Sequence, residues 1–256
     1  MKSVWLCAIA AVFFAGCGKP FLENVANAIE SRRAPSETQM IKALKTALND
    51  GAANAASELA KEGGFSKSPI YKIFLPPEAD AIVNNAKLIP GGEKLIDDAI
   101  ARINAAAESA AKDAAPIFAK AIADMTIADA IGILKGGDDA ATNYLRAQTS
   151  GELKAAFAPK INAALAKPII AGVSAQKSWD TLTNGYNRAA SSIAGKLAKL
   201  EPIKTSINDF VLDKALFALF SETASAEAKL RADPLGAIDA TVRSVFEYAK
   251  NSLNKR

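Results

Sequence analysis

Apolar side chains recur at intervals of three and four residues along most of the chain, which is the period of an amphipathic α-helix. The clearest stripe comprises Ile41, Leu44, Leu48, Ala52, Ala55 and Leu59. It follows Ser36 and Gln39, which have the spacing of a capping box, where two side chains satisfy free backbone groups at a helix start. Gly63 and Gly64 then predict the end of this first helix, because glycine commonly follows the last helical residue.

The same pattern predicts further helices, separated by proline and glycine. We expect them over Glu78–Ile89, over Glu93–Met125, over Thr126–Lys135, from Thr149 to Pro168, from Gln176 onward, over Asp209–Arg231, and after Pro234 through Ile238 to Leu253. The stretches Thr126–Asp129 and Thr149–Glu152 match the capping-box spacing and predict helix starts. Pro116 lies within the second of these helices and should kink it, or start a new helix capped by Asp113.

Two stretches lack helical character. Phe65–Pro77 ends in two prolines, which a helix interior does not accommodate, and is predicted to run extended over the surface. Ile169–Ser174 is predicted to form a turn. The fold class that follows is all-α, a single-domain irregular bundle of about eight or nine helices within residues 36–253.

Composition supports this fold class and excludes much chemistry. The chain has 55 Ala among its 256 residues, and alanine is the strongest helix former. It has no His, which excludes Ser-His-Asp and Cys-His catalysis and histidine-ligated metals, so we expect no cofactor. The 31 Lys and Arg are interspersed with 27 Asp and Glu. Such a pattern is typical of a solvated surface, and we expect no nucleic-acid binding.

The N-terminus has the pattern of an export signal. Val4–Phe14 is apolar but too short to span a bilayer, and has the length of a signal-peptide core. Ala15-Gly16-Cys17 after it resembles the bacterial lipobox, although Phe14 stands where leucine is usual. We therefore expect residues 1–16 to be a signal peptide, Cys17 to carry lipid, and residues 17–35 to form a tether. Gly18 after the cysteine favours the outer membrane, facing the periplasm; a soluble periplasmic protein is the alternative.

One polar cluster is a candidate binding site. Asp138 and Asp139 follow two glycines at a predicted helix start, with Thr142, Tyr144 and Arg146 on the next turns. Paired carboxylates can bind a cation or divide acid and base roles. They can equally cap a helix, where the dipole favours negative charge. Two carboxylates are too few for a calcium cage, so we predict no metal site and assign no catalytic residue.

Several spaced stretches resemble one bacterial family. They are Asp124–Gly136, Ala140–Tyr144, Thr149 with Leu153, Phe157 and Pro159, Ser68–Ile70 with Ile73–Pro76, and Lys214–Leu216 with Leu219 and Phe220. Occurring in this order, they are similar to the family named domain of unknown function 4197, over about residues 36–250. The resemblance implies an all-helical domain and an exported location, often with a lipoprotein signal. It implies no activity and no site residue.

Three functions remain open from the sequence. The lipobox-like stretch and the lack of histidine favour a non-enzymatic interaction or structural module of the cell envelope. Such a module would be held on the membrane by its lipid and would bind a protein partner. The apolar stretch Asp209–Arg231 allows instead a carrier of a lipid or another apolar ligand. The pair Asp138 and Asp139 allows a hydrolase that uses carboxylates with lysine, tyrosine or arginine.

Overall fold

The computed structural model describes residues 34–80, 83, 92–170 and 172–253, and these form a single helical domain. The helices are α1 (Glu37–Ala60), α2 (Gly92–Ala111), α3 (Ala114–Ala123), α4 (Ile127–Lys135), α5 (Ala140–Ala166), α6 (Ala175–Ser191), α7 (Ile193–Leu197), α8 (Ile207–Ala232) and α9 (Ala240–Leu253). Short 3-10 turns occupy Pro77–Ala79 and Pro234–Gly236. The all-α prediction is confirmed. No helix in these described ranges is both long and apolar enough to cross a membrane.

The predicted turn over Ile169–Ser174 is closed by a small antiparallel ladder. Its strands are β1 (Pro168–Ile170) and β2 (Val173–Ser174), with Pro168 opposite Ser174. Gly172 lies between the strands with a φ of 75°, a left-handed conformation that glycine adopts without strain. The ladder leads directly into α6, whose first turn is capped by the Ser174 hydroxyl.

The core is built around α8. This helix packs most extensively against α5 and also contacts α1 and α2. Its Leu219 and Phe220 are almost fully buried, and the Phe220 ring meets the Phe118 ring of α3 edge-on at 5.9 Å. The helix α2 buries several alanines, namely Ala106, Ala107, Ala110 and Ala111. Because alanine adds little side-chain volume, neighbouring backbones can approach α2 closely.

Two of the three predicted capping boxes form as expected. At α1 the Gln39 N–H donates to the Ser36 hydroxyl and the Gln39 side chain accepts from the Ser36 N–H. At α4 the Asp129 N–H donates to the Thr126 hydroxyl, and the Asp129 carboxylate accepts from Thr126 in return. That contact lowers the pKa of Asp129, because two Thr126 donors stabilise its charged form.

The predicted helix start at Thr149–Glu152 is wrong. Thr149 lies in the middle of α5, which runs unbroken from Ala140 to Ala166. The Thr149 side chain is buried, and its hydroxyl donates back to the Leu145 carbonyl at 2.6 Å. A threonine can satisfy its hydroxyl in this way within a helix, and Leu145, Leu153 and Phe157 continue one buried stripe across it.

Other boundaries differ from the prediction in instructive ways. The break near Pro116 is real, but the Asp113 side chain makes no cap bond; its carboxylate instead pairs with Lys160 of α5 at 2.7 Å. Ile238, expected on the apolar face of the last helix, precedes α9 and is fully exposed. Most of the helix predicted over Glu78–Ile89 lies outside the described residues.

The stretch predicted to run extended over the surface instead begins with hydrogen-bonded turns, and its Phe65 and Ile73 are buried, so that prediction is wrong in part. Side chains of α2 hold this stretch in place. We call residues Gly63–Pro76 the anchored segment. One Glu108 carboxylate oxygen accepts from the backbone N–H groups of Gly63, Phe65 and Ser66 at 3.1 to 3.2 Å. Further along, Asn104 accepts from the Ile73 N–H at 2.9 Å and donates to the Ile73 carbonyl at 2.8 Å. A segment without helix or strand is thereby fixed by polar side chains from its neighbour.

We predict that Asn104→Ala destabilises the fold by about 2–4 kcal/mol, because it leaves the buried N–H and carbonyl of Ile73 without partners. Asn49→Ala is the matched control. Asn104 also donates to the Ile100 carbonyl four residues earlier, and Asn49 makes the same kind of bond to the Lys45 carbonyl but is exposed. Its cost should stay within about 0.5 kcal/mol. Urea unfolding followed by circular dichroism measures both, and equal midpoints for the two variants would contradict this account of the segment.

Candidate functional site

A carboxylate from α8 caps the start of α5. One Glu227 oxygen accepts from the Ala141 N–H at 2.9 Å, and the other accepts from the Thr142 N–H at 2.8 Å and the Thr142 hydroxyl at 2.9 Å. The first N–H groups of a helix have no partners within it, and the helix dipole favours negative charge there. Asp139 occupies the N-cap position but makes no side-chain cap bond. Glu227 therefore performs this role from a different helix.

Arg231 completes the arrangement one turn further along α8. Its Nε and Nη2 donate to Glu227 at 3.0 and 2.8 Å, and Nη2 also donates to the Ile133 carbonyl in the last turn of α4 at 2.9 Å. The side chains of Arg231 and Glu227 are only 11% and 5% exposed. A desolvated pair of this kind needs both partners, since either charge alone would be buried without compensation. It ties α4, α5 and α8 together.

A surface cleft of about 280 Å³ lies beside this ion pair. It is lined by Gly136, Asp138, Ala228, Arg231, Ala232, Phe246, Ala249 and Lys250. The cleft therefore lies between the end of α8, the last helix α9 and the loop before α5. Lys250 donates from Nζ to the Ala232 carbonyl at 2.6 Å, at the end of α8. The Arg231 guanidinium lies 6.0 Å from the centre of the Phe246 ring.

The structure brings together only part of the cluster predicted from the sequence. Asp138 lines the cleft. Thr142 donates to Glu227, the buried partner of Arg231, and so belongs to the ion-pair cluster beside the cleft. Asp139 is exposed at the N-cap position.

The two remaining members of the cluster face other surroundings. Arg146 lies with its guanidinium 4.6 Å from the centre of the Phe220 ring. Tyr144 is half-buried, and burial together with the charges of Asp129 and Asp124 raises its pKa. Cys17 lies outside the described residues.

Sequence reasoning missed the charged residues at the centre of this site. A glutamate and an arginine four residues apart on a helix usually form an exposed pair. Glu227 and Arg231 have this spacing, so the sequence alone suggests an ordinary surface pair. One signal was present. Leu216, Leu219, Thr223 and Glu227 follow the three- and four-residue spacing of the buried face of α8. A carboxylate on an apolar stripe indicates a buried, paired charge.

A second, largely apolar cavity lies on the inner side of the same ion pair. It holds about 30 Å³ between α1, α5 and α8. That volume corresponds to about one water molecule. An acyl chain does not fit there. Most apolar side chains of α8 pack against protein, whereas Phe217 is exposed.

The described residues contain no group of three or more acidic or cysteine side chains that could hold a metal ion. Tyr71 on the anchored segment donates to a Glu222 oxygen of α8 at 3.0 Å. Burial, with that bond and the Glu222 charge, raises the pKa of Tyr71 to about 12. The phenol therefore remains protonated at neutral pH and acts as a hydrogen-bond donor.

The comparison with known families agrees with the resemblance seen in the sequence. A family profile described as "Protein of unknown function (DUF4197)" matches residues 34–247. The chain therefore belongs to this family, whose description names no activity. No curated protein and no solved structure matches the chain.

We predict that Glu227→Gln destabilises the protein by about 3–5 kcal/mol. The amide would place an NH₂ group against N–H donors of α5 or Arg231, and it would leave the arginine charge buried without its partner. Glu58→Gln provides the control, because Glu58 pairs with Lys61 on the exposed face of α1 and should cost less than about 1 kcal/mol. Chemical unfolding of both variants gives the comparison. Equal losses would mean that the Glu227 contacts do not organise the helices.

Proposed function

We propose that this protein is a lipid-anchored module of the bacterial cell envelope that acts by binding a protein partner and not by catalysis. The lipobox-like sequence at Cys17 supports the anchor, which would hold the helical domain on the periplasmic face of the outer membrane. Membership of a family of unknown function is compatible with this proposal but adds nothing on activity.

The proposal rests on one observation: the buried charged side chains are bonded to backbone groups of the protein itself. Glu108 binds three backbone N–H groups of the anchored segment, and Glu227 binds two at the start of α5. Arg231 is held by Glu227 and the Ile133 carbonyl. Groups bonded in this way stabilise the fold and are poorly placed to exchange protons with a substrate. Tyr71 and Tyr144, with raised pKa values, are weak candidates for a general base.

The anchored segment supplies a surface suited to a protein partner. Phe74 and Ile70 are 59% and 74% exposed, although the residues around them are held by Asn104, Glu108 and Glu222. Aromatic side chains contribute strongly to interfaces, and a preordered segment loses little conformational freedom on binding. An exposed phenylalanine on a fixed segment is therefore the feature we expect a partner to contact.

In-cell photo-crosslinking of the full chain tests this proposal. We expect a photoreactive amino acid at position 74 to give a discrete crosslinked protein band in the bacterium that encodes the chain. The same substitution at Leu197 is the control, because Leu197 is 80% exposed but lies on the short helix α7. Phe74→Ala, with the photoreactive group moved to position 70, should weaken the band.

A parallel labelling experiment tests the anchor separately. The full chain should incorporate radiolabelled palmitate, and Cys17→Ser should abolish the label. An unlabelled native chain would overturn the lipid anchor. Equal crosslinking from positions 74 and 197, or none from 74, would overturn the proposed partner surface. A cellular phenotype that the double variant Asp138→Asn with Asp139→Asn leaves unchanged would argue against the alternative of a hydrolase that uses this pair.

A further inference from the structure

We infer that the cleft between α8, α9 and the loop before α5 binds a small zwitterion, a molecule that carries both a carboxylate and an ammonium group. Arg231 and Lys250 would hold the carboxylate, and Asp138 would hold the ammonium. This inference goes beyond the proposed function and does not depend on the lipid anchor.

Arg231 lines the cleft, and its guanidinium is fixed by hydrogen bonds that, among the described residues, leave one nitrogen free. Its Nε–H and both Nη2 hydrogens are directed at Glu227 and the Ile133 carbonyl, whereas Nη1 has no partner in the described part of the chain. Within the same residues, no buried side-chain nitrogen or oxygen lacks a hydrogen-bond partner, so Nη1 is open to solvent. Arg231 lines the cleft, and Nη1 is the donor of this fixed guanidinium that a carboxylate bound there would meet.

Two further charges share the cleft without forming an ion pair within the described ranges. The Lys250 Nζ makes one bond, to the Ala232 carbonyl, and keeps two hydrogens for a ligand. Asp138, in the loop before α5, also lines the cleft and is exposed. Glu227 already balances the charge of Arg231, and Lys250 and Asp138 add one positive and one negative charge to the cleft lining. A dianion such as phosphate therefore gains little net attraction, while a ligand of both charges is complementary.

The remaining walls suit a short aliphatic connection between the two charges. Ala228, Ala232, Ala249 and Phe246 contribute apolar surface. The volume of about 280 Å³ is close to the lower end of small-molecule sites and fits a molecule of amino-acid size. The two cationic side chains, the one exposed carboxylate and the apolar surface of the same lining together define the ligand class.

Isothermal titration calorimetry of the full chain in a non-ionic detergent tests this inference. The probes are L-alanine, γ-aminobutyrate and 6-aminohexanoate, which differ in the spacing of their charges, with butyrate and butylamine as single-charge comparisons. We expect at least one zwitterion to bind at least about tenfold more tightly than either comparison compound. Lys250→Gln and Asp138→Asn should each weaken that binding by about tenfold or more.

Both substitutions are at exposed positions, so the fold should survive them, and thermal unfolding verifies this. Arg231 is left unchanged because its loss would leave the buried Glu227 charge without its partner. Lys196→Gln on α7, another exposed lysine remote from the cleft lining, should bind as the native chain does. Absence of zwitterion binding, equal affinity for butyrate, or unaltered binding by both cleft variants would overturn the inference.

Discussion

The positions of α4, α5 and α8 depend on one buried carboxylate. Glu227 satisfies two backbone N–H groups that α5 cannot satisfy itself, and it holds Arg231 against the carbonyl end of α4. Apolar substitutes for a buried ion pair are often equally stable in other proteins, so net stability is a weak explanation for it. Our hypothesis is that the pair fixes register, because sliding α5 along α8 by one residue would leave charged and polar groups buried without partners.

The same device recurs at the anchored segment. Glu108 on α2 binds the backbone N–H groups of the segment as Glu227 binds those of α5. An alanine-rich helix such as α2 offers small side chains for interdigitation, so directional bonds from a few long side chains define which element lies where. For function, these bonds fix two surface features. Glu227 holds Arg231 where it lines the cleft, and Asn104 holds Ile73 beside the exposed Phe74.

Local patterns in the sequence were sufficient for most helices and insufficient for the site. The capping boxes of α1 and α4 depend on residues three positions apart and were predictable. Thr149 has the same local pattern, but tertiary burial of its stripe keeps α5 continuous. Glu227 and Thr142 are 85 positions apart, and no local pattern reports such a pair. Asp138 was predictable as a candidate binding residue because two glycines precede it at a helix start. Nothing in the sequence distinguishes Lys250 from the other lysines.

Amide hydrogen exchange measured by NMR on the native chain tests the central role of Glu227 most directly. Ala141 and Thr142 hold the second and third positions of α5, as Thr38 and Gln39 do in α1. Such amides usually exchange fast, since a helix start frays easily. If Glu227 secures α5, the Ala141 and Thr142 amides exchange as slowly as the core of α8 and far more slowly than Thr38 and Gln39. Exchange of both pairs at similar fast rates would contradict the account.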